Sequence, residues 1–365
     1  MKRKAPIFMA RIMVTFLCNL FISCDGLDLE EIFINIDTTL VDSLFSNYDL
    51  DQGPGASVLI IYQRNSIFQK GYGLANLETN KPISGLTNFR LASITKQFTA
   101  MSIMILYSRG MLDYEQTLIE FFNGFPDYGN EITLRHLLNH TSGLYDYFGL
   151  ISDTVTQQLN DQDVLDLMML QHSTYFTPGS NYRYSNTGYV LLALVVERVS
   201  GQSFSEFLNK NIFSPLGMNG SLAYEKGTSE IINRAYGYNI SNSDYLFNDQ
   251  SITSAVLGDG GIYSSTNDML AWDQALYTAK LIPYDILNEA FISGEVTSGS
   301  KTGYGFGWRI DNFLYRERLS HSGSSVGFKN IYHRYPNEEL SIIIFTNRTT
   351  GDLKDIANKI SKSLF

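Results

Sequence analysis

Residues 89–98 read Phe89-Arg90-Leu91-Ala92-Ser93-Ile94-Thr95-Lys96-Gln97-Phe98, and this stretch decides which fold and chemistry can be expected of the chain. Apolar residues continue after it at helical spacing, at positions 98, 101, 103, 104 and 106, which predicts a long buried helix that starts near Ser93. Lys96 lies three residues after Ser93, one turn away and on the same helix face. The stretch therefore places a serine hydroxyl beside a lysine at the start of a helix.

A serine next to a lysine can act as a nucleophile with its base. The hydroxyl is a weak nucleophile until a base takes its proton. A lysine can be that base if burial disfavours its charged form. The first helical turn also directs backbone N–H groups and the positive end of the helix dipole towards Ser93, which favours negative charge that develops there.

The same Ser-x-x-Lys pattern occurs again at Ser298 and Lys301. That second match lies in a polar, glycine-rich loop with no helix that could bury the lysine. A pattern with two fixed letters is by itself more often chance than chemistry. The choice of Ser93 therefore depends on its partners elsewhere in the chain.

The composition is that of an acidic globular protein. The chain has 365 residues, of which 44% are hydrophobic and 18% charged, so it can form one large domain or two interleaved subdomains. Lys and Arg number 27 and Asp and Glu 37, which gives a net charge of −10. This balance argues against nucleic acid as a partner, because nucleic acid requires a basic face.

The first 23 residues have the pattern of an export signal. Basic residues come first, and a mostly apolar run of about twelve residues at 12–23 follows, too short to span a membrane as a mature helix. We therefore expect a signal peptide at 1–23 and an exported protein, in the periplasm or the envelope of a bacterium. Residues 20–24 resemble a bacterial lipoprotein cleavage site, with Cys24 as the lipid anchor. Ordinary cleavage near Ser23 is the alternative.

Thiol and metal chemistry find little support in the sequence. Cys18 and Cys24 are the two cysteines, so the folded region after them contains no disulfide and no thiol nucleophile. His136 and His140 are four residues apart and could share a helix face like metal ligands, but no third ligand lies at metal spacing. We interpret both histidines as structural or near-site loop residues and expect no metal and no cofactor.

Strand and helix patterns are distributed unevenly along the chain. Runs at 57–62 and 66–72 predict a β-hairpin, and residues 29–48 before it have a helical stripe. The other predicted elements are helices at 132–139, 164–172, 186–200, 203–212, 266–279 and 352–364, and strands at 304–310, 314–319, 326–335 and 340–346. We therefore expect an α+β fold in residues 24–365. One antiparallel β-sheet is built from both ends and flanked by terminal helices, and an all-helical subdomain at about 90–280 is inserted between them.

Tyr184 is the candidate for the second proton-transfer group that a Ser-Lys enzyme needs. It follows a Pro178-Gly179 turn and precedes the helix predicted from Asn186, where its hydroxyl can point into a cleft. The unperturbed pKa of tyrosine is ~10, so positive charge nearby would help it act as a base. The sequence leaves open whether Lys96 or Tyr184 is the principal base. Asn186 can hydrogen-bond a substrate amide or the lysine.

A strand edge that faces the serine would complete the site. Ser320-His321-Ser322-Gly323-Ser324 fits this role, because glycine lets a substrate approach the backbone closely. The N–H of Ser324 could pair with the N–H of Ser93 as an oxyanion hole. Lys301-Thr302-Gly303 competes for the role, but it precedes the predicted strands instead of lying among them.

Together these motifs resemble those of the class C β-lactamase-like serine hydrolases, a group with class C β-lactamases, D-alanyl-D-alanine carboxypeptidases, D-aminopeptidases and related esterases. The motifs that carry the resemblance are Ser93-x-x-Lys96, Tyr184-x-Asn186 and His321-x-Gly323, supported by stretches at 134–144, 178–179, 215–218, 260–265 and 304–308. It covers roughly residues 30 to 350. The resemblance implies an antiparallel sheet with helices beside a helical domain, and a site at their junction. It also implies an acyl-enzyme on Ser93, proton handling by Lys96 and Tyr184, and no metal.

His321 and Ser322 stand where many penicillin-binding enzymes have lysine and threonine. Lysine is a fixed charge suited to a substrate carboxylate, whereas histidine is charged only near or below pH ~6.5. We therefore expect a serine acyl hydrolase of the bacterial envelope that acts through an acyl-enzyme on an amide or ester bond of a D-peptide or ester substrate. A β-lactamase is the alternative enzyme, and a catalytically silent binding protein is the alternative of another class. Oligomeric state does not follow from the sequence.

Overall fold

The computed structural model describes residues 36–241 and 244–365, and residues 36–365 form one unit. The expected signal peptide at 1–23, the anchor at Cys24 and the first part of the helical stripe at 29–48 lie outside the described residues. Within the described part of the chain, no helix is both long enough and apolar enough to cross a membrane.

Thirteen strands and eleven α-helices are found in the described residues. The strands are β1 Ala56–Tyr62, β2 Asn65–Tyr72, β3 Leu74–Asn76, β4 Lys81–Pro82, β5 Phe89–Arg90, β6 Leu222–Ala223, β7 Tyr238–Ser241, β8 Asp244–Phe247, β9 Ile262–Ser264, β10 Arg309–Phe313, β11 Arg316–Ser325, β12 Phe328–Tyr335 and β13 Leu340–Thr346. The helices are α1 Thr38–Leu44, α2 Lys96–Ser108, α3 Leu118–Phe121, α4 Leu134–Leu138, α5 Asp161–Met169, α6 Asn186–Ser200, α7 Phe204–Leu208, α8 Ser214–Leu216, α9 Thr266–Ala275, α10 Tyr284–Glu289 and α11 Leu353–Leu364.

A six-stranded antiparallel sheet joins the two ends of the chain, in the order β10-β11-β12-β13-β1-β2. The two ends meet where β1 pairs with β13. This pairing runs from Ala56 opposite Thr346 to Tyr62 opposite Leu340. Both strands are mostly apolar and almost entirely buried because both faces of the sheet are covered. The prediction of an α+β fold with an antiparallel sheet is confirmed.

The two faces of β1 pack into different cores. Val58 and Ile60 pack with residues of α1 and α11, so the terminal helices lie together on one face of the sheet. Leu59 and Ile61 point to the other face and join the large core that contains most of α2 and α6. The period of two along a strand thus divides the sheet between a layer of terminal helices and the helical part of the chain.

Several predicted boundaries match the structure closely. The hairpin of β1 and β2 turns at Gln63 and Arg64, which both have positive φ angles, as a tight two-residue hairpin requires. Helix α6 has the bounds predicted for it, and Gly201 ends it in the left-handed conformation with φ 69°. Short strands β5 to β9 also occur within residues 90–280, where the sequence predicted helices alone.

The strand predicted at 304–310 is wrong for most of its length, since β10 begins only at Arg309. Residues 304–308 are a buried loop that packs against α2 instead. Gly307 has φ 81°, and a Cβ there would lie 2.9 Å from the carbonyl oxygen of Lys96. The glycines in this apolar run therefore let the loop approach α2 closely, and the run does not form the hydrogen bonds of a sheet.

Candidate active site

Ser93 lies where a short strand turns into the buried helix. Strand β5 pairs with β9, and a 3-10 turn at Ala92–Thr95 then leads directly into α2. Ala92 has φ 50°, a left-handed conformation that is uncommon for a residue with a side chain. The sharp turn leaves Ser93 half-buried at the edge of a cavity, whereas Lys96 behind it is fully buried.

Lys96 donates three hydrogen bonds. Its Nζ lies 3.3 Å from Ser93 Oγ, 2.9 Å from Asn186 Oδ1 and 2.9 Å from the carbonyl oxygen of Asp259. An ammonium has three donors, and these acceptors use all of them. A neutral amine would keep two of the bonds as a donor and accept the proton of Ser93 in the third, so the geometry suits a base for this serine.

Asn186 is held in its orientation by Asp146, a residue that the sequence did not point to. Asp146 Oδ2 accepts hydrogen bonds from the backbone N–H of Asn186 at 2.8 Å and from its Nδ2 at 3.1 Å. Because the amide nitrogen faces the carboxylate, the amide oxygen faces Lys96. The other carboxylate oxygen of Asp146 accepts from the N–H of Phe148 at 3.2 Å, which fixes the loop itself.

Tyr184 stands between two cations. Its ring centre lies 5.1 Å from Lys96 Nζ and 5.4 Å from the guanidinium carbon of Arg309. Cations at this distance from an aromatic ring are attracted to it. The predicted second proton-transfer group is thus in the same site as Ser93 and Lys96. Arg309 is exposed at the start of β10, and the sequence did not identify it.

His140 holds the backbone on both sides of Tyr184. Its Nδ1 accepts from the N–H of Ser185 at 3.2 Å, and its carbonyl oxygen accepts from the N–H of Arg183 at 2.9 Å. Burial, and then the charge of Lys96, hold the pKa of His140 well below its usual value, so the ring is neutral. His136 accepts from the N–H of Thr133 and caps α4. The positions of His136 and His140 thus fit the interpretation of both as structural or near-site loop residues.

His321 is part of β11 but does not present a charge to the cavity. Its Nδ1 lies 2.7 Å from the carbonyl oxygen of Ser322 and its Nε2 2.9 Å from the hydroxyl of Tyr304. The first contact requires a proton on Nδ1, so Nε2 accepts from Tyr304. Burial, and then the charge of Lys96, lower the pKa of His321 to about 3. The residue at the lysine position of penicillin-binding enzymes is therefore neutral here at ordinary pH.

The other predicted residues of β11 divide between two places. Gly323 packs directly on the stretch before the serine, because a Cβ there would lie 2.1 Å from the carbonyl oxygen of Leu91. Ser324 lines the same cavity as Ser93, as the predicted oxyanion hole requires. Ser322 is exposed and lines a separate groove beside α11. Of the five predicted binding residues, Asn186 and Ser324 thus line the catalytic cavity, whereas His321, Ser322 and Gly323 do not.

The cavity has a volume of about 130 Å³. Its wall includes Ser93, Tyr184, Asn186 and Ser324 from the sequence prediction, and further residues that were not predicted: Arg90, Ala92, Tyr147, Phe148, Thr253, Asp259, Gly260 and Ser325. Tyr147 donates from its hydroxyl to Asp259 at 3.1 Å, and burial raises the pKa of Asp259 while Lys96 opposes that rise. The carboxyl group of Asp259 therefore has a hydrogen-bond partner in Tyr147, while the backbone carbonyl of the same residue accepts from Lys96.

Two curated relatives are similar to the chain over most of its length. It is 36% identical over 298 residues to a penicillin-binding protein from Bacillus subtilis, which covers 77% of this chain and 65% of that protein. It is 26% identical over 305 residues to a D-aminopeptidase from Gluconobacter oxydans, which covers 82% of this chain and 57% of that protein. The chain thus spans less than two thirds of the length of either relative.

A solved structure and a family model complete the comparison. The fold is similar to that of the octameric penicillin-binding protein homologue from Pyrococcus abyssi, with a TM-score of 0.79 and 26% identity over 90% of this chain and 77% of that one. The sequence model of the Beta-lactamase family matches residues 41–362, from the first helix to the last. The four motif residues Ser93, Lys96, Tyr184 and Asn186 all lie inside this match. The chain therefore belongs to the Beta-lactamase family.

Proposed function

We propose that this protein is a serine acyl hydrolase that cleaves an amide or ester bond through an acyl-enzyme on Ser93. The observation that carries the proposal is the contact of the buried Lys96 Nζ with Ser93 Oγ at 3.3 Å, next to a cavity that Ser93 and Tyr184 line. A binding protein without catalysis would have no need for a buried lysine on a serine hydroxyl. The family and the names of the relatives support the same reaction class.

In acylation, Ser93 Oγ forms a bond to the substrate carbonyl carbon while its proton passes to a neutral Lys96. The carbonyl electron pair moves onto the oxygen, and the N–H groups of Ser93 and Ser324 are the proposed donors to it. The intermediate then collapses and the bond to the leaving amine or alcohol breaks. Tyr184 gives the leaving atom a proton and regains one from Lys96.

In deacylation, the same residues act on water. A water molecule attacks the ester carbonyl carbon of the acyl-enzyme and gives its proton to Lys96 or Tyr184. The bond from the carbon to Ser93 Oγ breaks, the serine is reprotonated, and an acid leaves the site. Both residues are placed for this step, because Lys96 Nζ lies 3.3 Å from Ser93 Oγ and 5.1 Å from the ring centre of Tyr184.

Arg309 provides the positive charge that His321 does not. It is exposed and stacked over Tyr184, while His321 is neutral and buried. A substrate with a carboxylate near its scissile bond could therefore pair with Arg309 beside the ring of Tyr184, which lines the cavity. This supports a peptide with a D-residue and a free carboxylate as the substrate, in line with relatives named penicillin-binding protein and D-aminopeptidase.

A β-lactamase is the second candidate, favoured by the same exposed cation, because β-lactam antibiotics carry a carboxylate. The two candidates differ in the fate of the acyl-enzyme, which a β-lactamase must hydrolyse quickly. Nitrocefin turnover that clearly exceeds the turnover of D-alanyl-D-alanine peptides and short-chain esters would favour the lactamase. Slow labelling by a fluorescent penicillin without turnover would favour the peptidase.

The proposed location is the bacterial envelope, with Cys24 as a lipid anchor. The support for it is the basic and apolar pattern of residues 1–23 and the cleavage pattern at 20–24. A Cys24→Ser variant expressed from the full gene should move from the membrane fraction to the soluble exported fraction. Unchanged membrane recovery of that variant would contradict the anchor without affecting the proposed chemistry.

The chemistry is tested with Ser93→Ala and a matched control, Ser298→Ala. Both serines stand in a Ser-x-x-Lys pattern, but Lys301 is exposed and pairs with Glu295 instead of being buried on its serine. We expect Ser93→Ala to abolish p-nitrophenyl ester hydrolysis and penicillin labelling and Ser298→Ala to keep both. Activity retained by the purified, folded Ser93→Ala protein would overturn the proposal.

A further inference from the structure

A second pocket lies at the β7–β8 hairpin, where it meets the end of β3. Its volume is about 540 Å³, within the ~300–1,000 Å³ typical of pockets for small ligands. Its wall includes Asn76, Glu78, Tyr236, Tyr238, Tyr245 and Phe247. Four of these six side chains are aromatic, and none of them belongs to the catalytic cavity.

The aromatic rings of this hairpin pocket stand close together and partly open to solvent. The ring of Phe247 lies 6.0 Å from that of Tyr236 and 6.0 Å from that of Tyr238. Phe247 is 68% exposed, so the open side of this group of rings faces solvent.

Polar groups with unused hydrogen-bonding capacity border the same rings. The hydroxyl of Tyr238 accepts from the N–H of Leu77 at 3.0 Å and keeps its own proton to donate. Asn76 Oδ1 accepts from the N–H of Glu78 at 2.8 Å, which leaves the amide nitrogen of Asn76 as a donor. The carboxylate of Glu78 is exposed and has no ion-pair partner within the part of the chain that the structure describes.

We propose that the hairpin pocket binds a neutral saccharide. A sugar ring presents a face of C–H groups that stacks on aromatic rings and an edge of hydroxyls that both donate and accept hydrogen bonds, and the pocket supplies partners for each. Arg234, whose guanidinium carbon lies 4.9 Å from the centre of the Tyr236 ring, is neutralised by its ion pair with Asp249. Glu78 is the charged residue of the pocket wall, and with the net charge of −10 it argues against an anionic lipid surface. The polar border argues against a purely apolar protein segment.

The hairpin pocket is also connected to the catalytic site. The hairpin base contacts the turn between β11 and β12, where the N–H of Gly327 donates to the carbonyl oxygen of Asn248 at 2.7 Å. Ser324 and Ser325, just before that turn, line the catalytic cavity. A saccharide in the pocket would therefore be bound by the β7–β8 hairpin, whose base contacts the turn that follows β11. The end of β11 borders the catalytic cavity.

The test is a titration of the full protein with chitotetraose and, in a separate experiment, with cellotetraose. Binding is measured by calorimetry and by ligand-observed NMR. Phe247→Ala and Tyr236→Ala should each weaken the binding of the tetrasaccharide by about tenfold, which corresponds to ~1.4 kcal/mol. Tyr315→Ala is the matched control, because Tyr315 is a fully exposed aromatic residue outside the pocket. Ester hydrolysis should be unchanged in all three variants, which shows that they are folded.

Three outcomes would overturn the proposal. One is the absence of saturable binding to either tetrasaccharide at millimolar concentration. The second is binding that Phe247→Ala and Tyr236→Ala leave as strong as in the unchanged protein. The third is binding to phosphatidylglycerol vesicles that Phe247→Ala abolishes, with no response to saccharides, because the exposed rings would then belong to a membrane contact.

Discussion

Asp146 accepts two hydrogen bonds from Asn186, one from its backbone N–H and one from its side-chain amide. Through this pair of bonds, a loop carboxylate decides which end of the Asn186 amide faces Lys96. The oxygen of that amide lies 2.9 Å from Lys96 Nζ, so Asp146 influences the base without touching it. Asp146 is a positioning residue for the site.

We expect Asp146→Ala to lower kcat/KM for ester hydrolysis by roughly tenfold to a hundredfold, since small displacements of catalytic groups have effects of this size. The amide of Asn186 would be free to rotate and Lys96 would lose a fixed acceptor. The rate of acylation by a fluorescent penicillin should fall by a similar factor, because the loss affects the first step.

The control for this variant is Asp153→Ala, an exposed aspartate further along the same chain segment. It should leave both rates unchanged. Asp146→Asn keeps one carbonyl acceptor and should retain more activity than Asp146→Ala. Equal activity of Asp146→Ala and the unchanged protein would show that the hydrogen bonds to Asn186 do not position the site.

Arg309 should act on substrates that carry a carboxylate and on no others. We expect Arg309→Ala to raise KM for a D-alanyl-D-alanine peptide by about tenfold, the scale of a lost charge-assisted hydrogen bond. A neutral p-nitrophenyl ester should keep its KM. Lys301→Ala removes an exposed cation outside the cavity and should change neither value. Equal effects of Arg309→Ala on both substrates would mean that the residue supports Tyr184 instead of the carboxylate.

Residues of the site could be predicted where a short motif carries its own chemistry. Ser93 and Lys96 share one helical turn, and Tyr184 lies two residues before Asn186, so spacing alone brings each pair together. Whether the two pairs meet in one cavity depends on how α2 packs against α6, which residue spacing does not show. The prediction that they meet came from the order of the motifs, which resembles that of the family. The neutral state of His321 was not predictable, because it follows from burial.

Residues outside the motifs were missed for a physical reason. Asp146 lies in a loop whose position depends on the N-terminus of α6, and Arg309 lies in a segment that was predicted to be part of a strand.

The strand predicted at 304–310 was wrong because the apolar and aromatic residues were given more weight than the glycines among them. Ser322 was assigned to the cavity because it stands where many penicillin-binding enzymes have threonine, in a motif of β11 that was expected at a strand edge facing Ser93. The strand continues to Ser325, and its alternation turns Ser322 away from the face of His321 and Gly323.

Gly323 should not tolerate a side chain. A Cβ at this position would lie 2.1 Å from the carbonyl oxygen of Leu91, so β11 or the turn before Ser93 would have to move. We expect Gly323→Ala to lower the free energy of unfolding by about 1–3 kcal/mol, as overpacked sites do, and kcat/KM by roughly a hundredfold. Urea unfolding and ester kinetics on the same preparation give both values.

The matched control is Gly149→Ala, because a Cβ at Gly149 would meet no atom within 4 Å and its φ is not positive. Its free energy of unfolding should stay within a few tenths of a kcal/mol of the unchanged protein. Normal kinetics of Gly323→Ala would contradict the close packing of β11 on the serine turn.

The last prediction concerns acid stability and uses His333, which is 1% exposed and takes no part in the site. Burial, followed by the charges of Arg318 and Lys354, lowers its pKa to about 3. Between pH ~6.5 and about 3 the unfolded chain therefore binds a proton that the folded protein does not, so stability falls as the pH falls through this window. The expected slope from this one residue is about 1.4 kcal/mol per pH unit. His140 and His321 contribute in the same direction, so His333→Gln should reduce the slope measured by urea unfolding from pH 7 to pH 5 without abolishing it, whereas the exposed His172→Gln should leave the slope unchanged. Identical pH profiles for His333→Gln and the unchanged protein would show that His333 is protonated in the folded state as readily as in the unfolded one.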